Sequence, residues 1–532
     1  RAKGLMDYDD QMVYAYTMLR SVPELLRHFQ ELYPYICVDE AQDTSKIQHA
    51  IIALLASGSE NLFMVGDEDQ SIYGFRAAYP EALLTFEKNY PDAKVLLMEE
   101  NFRSDARIVL AADRFIQKNT LRHEKHMKAA RKPASDIREI SLRSRKAQYT
   151  YLAKLAEGCT SQTAILYRDN ECIIPLVDLL ERNGIPYQMR NAELSFFSHR
   201  TILDIINIIK LAQNPMDTEA FLQIYYKIGT YLRKQDAIRI ARISEEKRIP
   251  VLDVAAEDPD LNGHVLGSVR SMRTHLQNLL QDSGERALYR IMQYMGYQEY
   301  LNRSGLSDSK LEILRILGSR ADSPMEPAER LEQLKVLIRE KEPDRKCPLI
   351  LSTIHASKGL EYDSVYLIDV ADGILPESIP QNLHQASAEE LKAYEEERRL
   401  FYVGVTRAKD HLTLFTTNRP STFCSEFLGK SSVTEEGRKN LMPVESRISR
   451  TFKQARPYAA VAGIRQTKAS EELYFRLKEE LGTGVIVEHK KYGEGVVTQL
   501  DDRLVHIMFQ DDTLRMMDLK ILANAGLLKV KK

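Results

Sequence analysis

Asp39 and Glu40 stand side by side at the end of the short apolar run Tyr35-Ile36-Cys37-Val38, and Ala41-Gln42-Asp43-Thr44 follow them. Two carboxylates delivered together at a strand end suit a Mg²⁺-nucleotide: one holds the metal's water shell, the other orients an attacking water. An acidic strand end running into a helix N-terminus, where Asp and Glu are favoured anyway, accounts for the same residues without chemistry. A nucleotide site of this kind also needs GxxxxGK[ST], whose backbone amides cradle phosphates. One near-match occurs, at Gly429-Lys430-Ser431, but Cys424 occupies the position of the first glycine and no strand signal precedes it. It is rejected as a phosphate-binding loop.

The elements that must position the carboxylates form an alternating pattern. Residues 5–32 have helical spacing, 35–38 read as a strand, and a helix is predicted over about 45–56. Asn61–Val65 and Lys94–Met98 are further apolar runs, ended by Gly66-Asp67 and by Glu99-Glu100-Asn101. Thr163–Tyr167, Pro348–Ser352, Ser364–Asp369 and His411–Thr416 complete the predicted strands. Short strands between helices indicate a parallel α/β layer whose strand ends line a ligand crevice. Residues 212–345 are helical in texture and lie between strands of that layer, so they read as an inserted domain. Residues 431–480 are polar and read as a linker. Beyond them Val485-Ile486-Val487, Val496-Val497 and Leu504–Phe509, with glycines at a Lys-Lys-Tyr-Gly-Glu-Gly turn, read as a small β-barrel.

At 532 residues the chain exceeds a single core, and roughly three to five domains follow from length. Lys and Arg number 74 against 76 Asp and Glu, so any nucleic-acid surface must be a local patch. Five scattered cysteines form no CxxC pair, which speaks against a zinc site or a disulfide framework and fits the cytoplasm. No apolar run approaches a membrane span.

The order of longer motifs is specific. Asp39–Asp43 (DEAQD), Gly66–Arg76 (GDEDQSIYGFR), Glu100–Ser104 (ENFRS), Thr353–Tyr362 (TIHASKGLEY) and Glu396–Lys409 (EERRLFYVGVTRAK) together resemble superfamily one DNA helicases of the UvrD/PcrA/Rep type. The resemblance covers nearly the whole chain. It implies two RecA-like parallel-sheet domains, the first incomplete, a helical insertion and a Tudor-like C-terminal barrel. The boundaries expected are 1–92 for the partial first RecA-like domain, 93–211 and 346–430 for the two parts of the second, 212–345 for the insertion, 431–480 for the linker and 481–532 for the barrel. It also implies ATP and Mg²⁺ as cofactors, single-stranded DNA and duplex junctions as partners, and 3′ to 5′ movement in DNA repair, replication or recombination. Asp7-Tyr8-Asp9-Asp10 resembles the element that leads back towards DEAQD, and the family's P-loop is expected upstream of Arg1, which would leave this chain alone inactive.

Carried over by position, Asp39 would hold Mg²⁺ and Glu40 would activate the hydrolytic water. Gln70 would sense the γ-phosphate, with Arg76 supporting that region, and Arg103 and Arg407 would supply guanidinium groups whose planar forks match phosphate oxygens. Phe102, where the family usually has Tyr, would stack on adenine, and Glu361 would accept from the ribose. Tyr73 and Phe75 would stack on bases, worth about 1–3 kcal/mol each; the family commonly has Trp at the second position, and this chain has none. His355 and Lys358 would contact the strand or couple it to the nucleotide, and Arg168 and Asn170 resemble another strand-contacting pair. Phe196–Arg200 matches a further motif, with His199 and Thr201 in place of the usual charges and Asp204 retained.

Plainer roles compete with each of these. Arg103 and Arg407 could pair with Asp105 or Glu397, Phe102 could be a core aromatic, Glu361 a helix-end charge, and Tyr73 and Phe75 could pack on their own domain. A second class of function is a nucleic-acid or protein binding module without ATPase activity. A helicase-nuclease would need a domain that the short β tail does not provide. The tail of the family binds RNA polymerase, and Lys490, Lys491 and Tyr492 could serve such a partner or form a solvated turn.

Overall fold

The computed structural model describes residues 4, 6–190, 195–341, 344, 346–380, 382–383, 385–417, 421–430, 481, 485–490, 492–500, 504–509, 514–518, 522 and 528–530. The chain forms two compact units, residues 1–445 and 446–532.

In the first unit the opening helical sequence is two helices, Tyr8–Ser21 and Pro23–Leu32, rather than one. Pro23 sits at the first position of the second helix, where its missing N–H costs nothing, and Val22 before it is extended, which breaks the run. Strand β1 (Ile36–Val38) pairs in parallel with β2 (Leu62–Met64). Their crossover is a 3₁₀ turn at Ala41–Asp43 and the helix Lys46–Ala56, whose first turn is closed by a reciprocal Ser45–Gln48 capping box.

The strand expected at Lys94–Met98 does not form. Leu96 and Met98 are exposed, and the local ladder is only β3 (Glu100–Asn101) beside β4 (Lys128–Ala129). An apolar run becomes a strand where a neighbour takes its backbone hydrogen bonds, and among the described residues none lies alongside 94–98.

Strands β5 (Arg138–Leu142), β6 (Thr163–Tyr167), β7 (Gln188–Met189), β8 (Leu349–Thr353), β9 (Tyr362–Leu367) and β10 (Ala408–Thr417) make one sheet, ordered β5-β10-β9-β6-β8-β7, with every ladder parallel. All five residues of β6 and of β8 are buried, the continuous apolar run that a strand covered on both faces requires. One face packs against Phe115, Phe401 and Phe423. The other continues into the helices that run from Arg200–Gln213 to Met325–Glu340, so that Ile202, Phe221 and Leu314 share a core with Tyr167 and Leu351. Those helices lie in the chain between β7 and β8, and the first begins a dozen residues before the change in sequence texture at 212.

The second unit is a curled antiparallel sheet of β11 (Ile486–His489), β12 (Gly493–Leu500), β13 (Leu504–Phe509), β14 (Leu514–Asp518) and β15 (Leu528–Val530), ordered β14-β13-β12-β11-β15. Val487, Val497, Val505, Ile507 and Phe509 form its core. No ladder joins β14 to β15 among the described residues, so the expected barrel is seen as a curled sheet. The linker expected over 431–480 lies outside the described residues.

Candidate nucleotide and nucleic-acid site

Asp39 and Glu40 emerge at the C-terminal end of β1. Glu40 has φ 49° and ψ 40°, a left-handed conformation that a non-glycine residue adopts at a cost. Buried Gln42 stabilises the turn from both ends of its amide. Its Nε2 donates to the Glu40 carboxylate, and its Oε1 accepts the Asp67 backbone N–H at 2.9 Å, tying the end of β1 to the end of β2. Asp39 is exposed and accepts the Glu40 N–H at 2.8 Å.

The Gly66–Arg76 segment crosses towards the large sheet. Gln70 Nε2 donates to Asp67 Oδ2 at 2.6 Å, and Gln70 Oε1 accepts from Arg407 at 3.4 Å. Arg407 is buried at the start of β10, where it also donates to the Val403 and Leu360 carbonyls. Burial, then the charge of Arg103, push its pKa down to about 10. Arg103 is held beside β10 because Ser104 Oγ donates to the Ala408 carbonyl and the Asp105 N–H to that of Lys409. Glu361 accepts from Arg103 at 2.8 Å and pairs with Lys409 at 2.9 Å, while Phe102 next door is 70% exposed. The exposed carboxylates of Asp39 and Glu40 and the guanidinium groups of Arg103 and Arg407 are of the types that suit a hydrated hard cation and a polyphosphate.

Residues 354–361 connect the C-terminal end of β8 to the N-terminal end of β9. Both strands pair in parallel with β6 at the same level, with Thr163 opposite Leu349 and Ser364. The connection must therefore run the depth of the sheet. At its start the His355 ring lies 6.0 Å from Tyr73 and 5.6 Å from Phe75, and the His355 carbonyl accepts from the Tyr73 hydroxyl at 3.2 Å. At its end is Glu361 with Arg103. In the middle Lys358 Nζ donates to Asp43 Oδ2 at 2.6 Å and to the Gln70 carbonyl at 2.7 Å, with Glu40 at 3.5 Å. A single segment thus links the Tyr73–Phe75 cluster to Gln70, Arg103 and Glu361.

Asp39, Glu40, Gln70, Arg103, Arg407, Phe102 and Glu361 accordingly line one region, and Tyr73, Phe75 and His355 form another. Arg76 stacks on the Tyr73 and Phe75 rings at 5.1 and 5.4 Å, so it belongs to the aromatic group more than to Gln70. Lys358 points at the Asp43 and Glu40 carboxylates. Arg168, 17% exposed, is spent on Glu397, Glu377 and Asp169, and Asn170 opens the next 3₁₀ turn. The ion pairs differ from the plainer expectations: Arg103 takes Glu361 rather than Asp105, and Glu397 goes to Arg168 rather than Arg407. Phe196 and Phe197 are buried core residues, and Asp204 is paired with Lys227 among the helices. The rejected Gly429-Lys430 lies just after the helix Thr422–Phe427, with Lys430 paired to Glu139.

Sequence reasoning did not single out Gln42, Lys125, Glu396 or Arg399. Glu396 accepts the Gly74 N–H at 2.8 Å, Arg399 donates to the Ser71 carbonyl at 2.8 Å, and a Cβ at residue 74 would run into the Glu396 carboxylate. Gln42 lies within the DEAQD motif and Glu396 and Arg399 within EERRLFYVGVTRAK, whereas Lys125 has no sequence signal beyond being basic.

The description "UvrD-like helicase C-terminal domain" matches residues 96–419, and "UvrD/REP helicase N-terminal domain" matches residues 1–91. The chain belongs to the UvrD-like helicase family. This UvrD-like chain is 31% identical over 425 residues to the putative ATP-dependent DNA helicase YjcD of Bacillus subtilis, covering 77% of the chain and 55% of YjcD. It is 28% identical over 533 residues to the ATP-dependent DNA helicase PcrA of Staphylococcus epidermidis, covering 94% of the chain and 70% of PcrA. PcrA of Staphylococcus aureus is 26% identical over 535 residues. The chain thus spans between about half and seven-tenths of the length of these relatives.

Proposed function

We propose that this UvrD-like chain is the motor part of an ATP-dependent DNA helicase and translocase that acts on single-stranded DNA. The observation that carries the reading is the Gln70–Arg407 hydrogen bond, which joins the loop after β2 to the start of β10. Two RecA-like domains would meet at that line. ATP supplies the phosphoanhydride whose cleavage drives movement, and Mg²⁺ would be held through Asp39. Glu40 accepts the proton of the attacking water. Gln70 presents an amide oxygen to that water, and Arg103 and Arg407 neutralise charge that builds on the γ-phosphate oxygens. Phe102 offers an exposed face to adenine and Glu361 an acceptor to the ribose. Tyr73, Phe75 and His355 stack on bases, and the 354–361 segment carries the state of the nucleotide to them. Movement is 3′ to 5′, the setting is cytoplasmic DNA repair, replication or recombination, and the C-terminal curled sheet is a docking module for a protein such as RNA polymerase.

The test is ATP turnover in the full-length protein with Glu40→Gln. The carboxamide keeps the shape and removes the base, so nucleotide binding should persist while turnover falls about 100-fold or more. Unchanged turnover would remove Glu40 from its role.

A further inference from the structure

The loop that bears Gln70 carries three consecutive carboxylates, Asp67, Glu68 and Asp69, the last two buried. Such a cluster cannot stay ionised without compensation. The compensation comes from the segment between β3 and β4. Lys125 Nζ lies 2.6 Å from Asp67 Oδ1, 3.1 Å from Glu68 Oε1 and 3.4 Å from Asp69 Oδ2, and its side chain is 13% exposed. Arg122 forks onto Asp69, with Nε 3.0 Å from Oδ1 and Nη2 2.8 Å from Oδ2. The His123 N–H donates to Glu68 at 2.8 Å. Burial works to raise the Asp67 pKa, and Lys125, together with the hydrogen bonds from Gln70 and the Asp69 N–H, outweighs it and holds that carboxyl below its ordinary range.

Asp67 then acts on Gln70. Its Oδ1 is occupied by Lys125, and its Oδ2 accepts Gln70 Nε2 at 2.6 Å. A glutamine amide has a donor end and an acceptor end, so committing Nε2 to Asp67 turns Oε1 towards Arg407. We propose that Lys125 is a positioning residue for nucleotide hydrolysis, which through Asp67 fixes the orientation of the Gln70 amide at the γ-phosphate position. The proposal rests on the reading of Gln70 given above and adds to it the group that sets its geometry.

The experiment compares the full-length wild type with Lys125→Met, Lys125→Arg, Gln70→Ala and the Lys125→Met/Gln70→Ala double variant. Two quantities are read: steady-state ATP turnover, and the gain in ADP affinity produced by beryllium fluoride, which stands in for the γ-phosphoryl group. Lys125→Met should lower kcat about 10- to 100-fold with KM for ATP nearly unchanged, and should reduce the beryllium fluoride gain. Lys125→Arg, which keeps charge and donors, should retain most of both. In the Gln70→Ala background Lys125→Met should change neither further, because the two act in one line. An equal loss in both backgrounds, or no loss in the wild-type background, overturns the proposal while leaving Gln70 in place. If Gln70→Ala alone leaves both quantities intact, the reading of Gln70 falls and the proposal falls with it. Should Lys125→Met fail to fold, Asp67→Asn interrupts the same line and must show the same non-additivity with Gln70→Ala.

Discussion

His355 sits where the aromatic cluster meets the segment that reaches the nucleotide region. Burial first, then the Arg168 charge and those of Arg76 and Lys358, push its pKa down to about 4 from 6.5. Its ring is therefore neutral at neutral pH, which suits stacking against Tyr73 and Phe75. The unfolded chain takes up the proton first, so this group makes stability fall as pH drops from about 6.5 to about 4 and adds no further loss below. An imidazole titration followed by NMR should show a midpoint near 4, and His355→Gln should remove that part of the acid slope. A midpoint at the ordinary value would mean the ring is solvated and the cluster open. At this scale the sequence marks out candidate residues more clearly than what they touch. Lys358 stands out in sequence through its motif, but its place against Asp43 depends on how far the 354–361 segment descends along the sheet, which no spacing in the sequence encodes.

The helices between β7 and β8 are held to one another by more than apolar burial. Asp204 and Lys227, each 4% exposed, pair with one another, and the Tyr297 hydroxyl donates to the second Asp204 oxygen at 2.9 Å. Removing one partner leaves a charge stranded in the core, so Lys227→Met should cost about 3–5 kcal/mol in denaturant unfolding. Asp204→Asn, which keeps an acceptor for Tyr297 but strands the ammonium, should also destabilise. Near-neutral Lys227→Met would mean that water reaches the pair. Four of the six strands of the large sheet were legible within about three residues, because runs such as β6 and β8 are buried and largely apolar, whereas β5 and the two-residue β7 stood out in no such way. The predicted strand at Lys94–Met98 had the same appearance and failed, since pairing is a property of the neighbour and not of the run. The early helix split at Pro23 for a reason that the sequence did contain.

At the scale of the molecule, parallel strand order does the assembling. β6 between β8 and β9 forces the connection between those two strands to traverse the sheet, with aromatic contacts at one end and Glu361 with Arg103 at the other. The β2 loop reaches across to Arg407, and Glu396 and Arg399 on the helix Ala388–Val405 hold it there. The α/β class with a parallel sheet, and the motifs from which the candidate site is built, were legible because the motifs are long. The grip of Lys125 on the acidic loop was not, because it joins segments more than fifty residues apart through charge alone. The most direct test of the central claim is ATP hydrolysis by the full-length protein with and without a single-stranded oligonucleotide, in wild type and in Arg407→Ala. Stimulation by the strand is expected in wild type, with loss of about 100-fold or more in turnover, with or without the strand, in Arg407→Ala. Wild-type hydrolysis indifferent to the strand, or an Arg407→Ala variant that turns over normally, would contradict that claim.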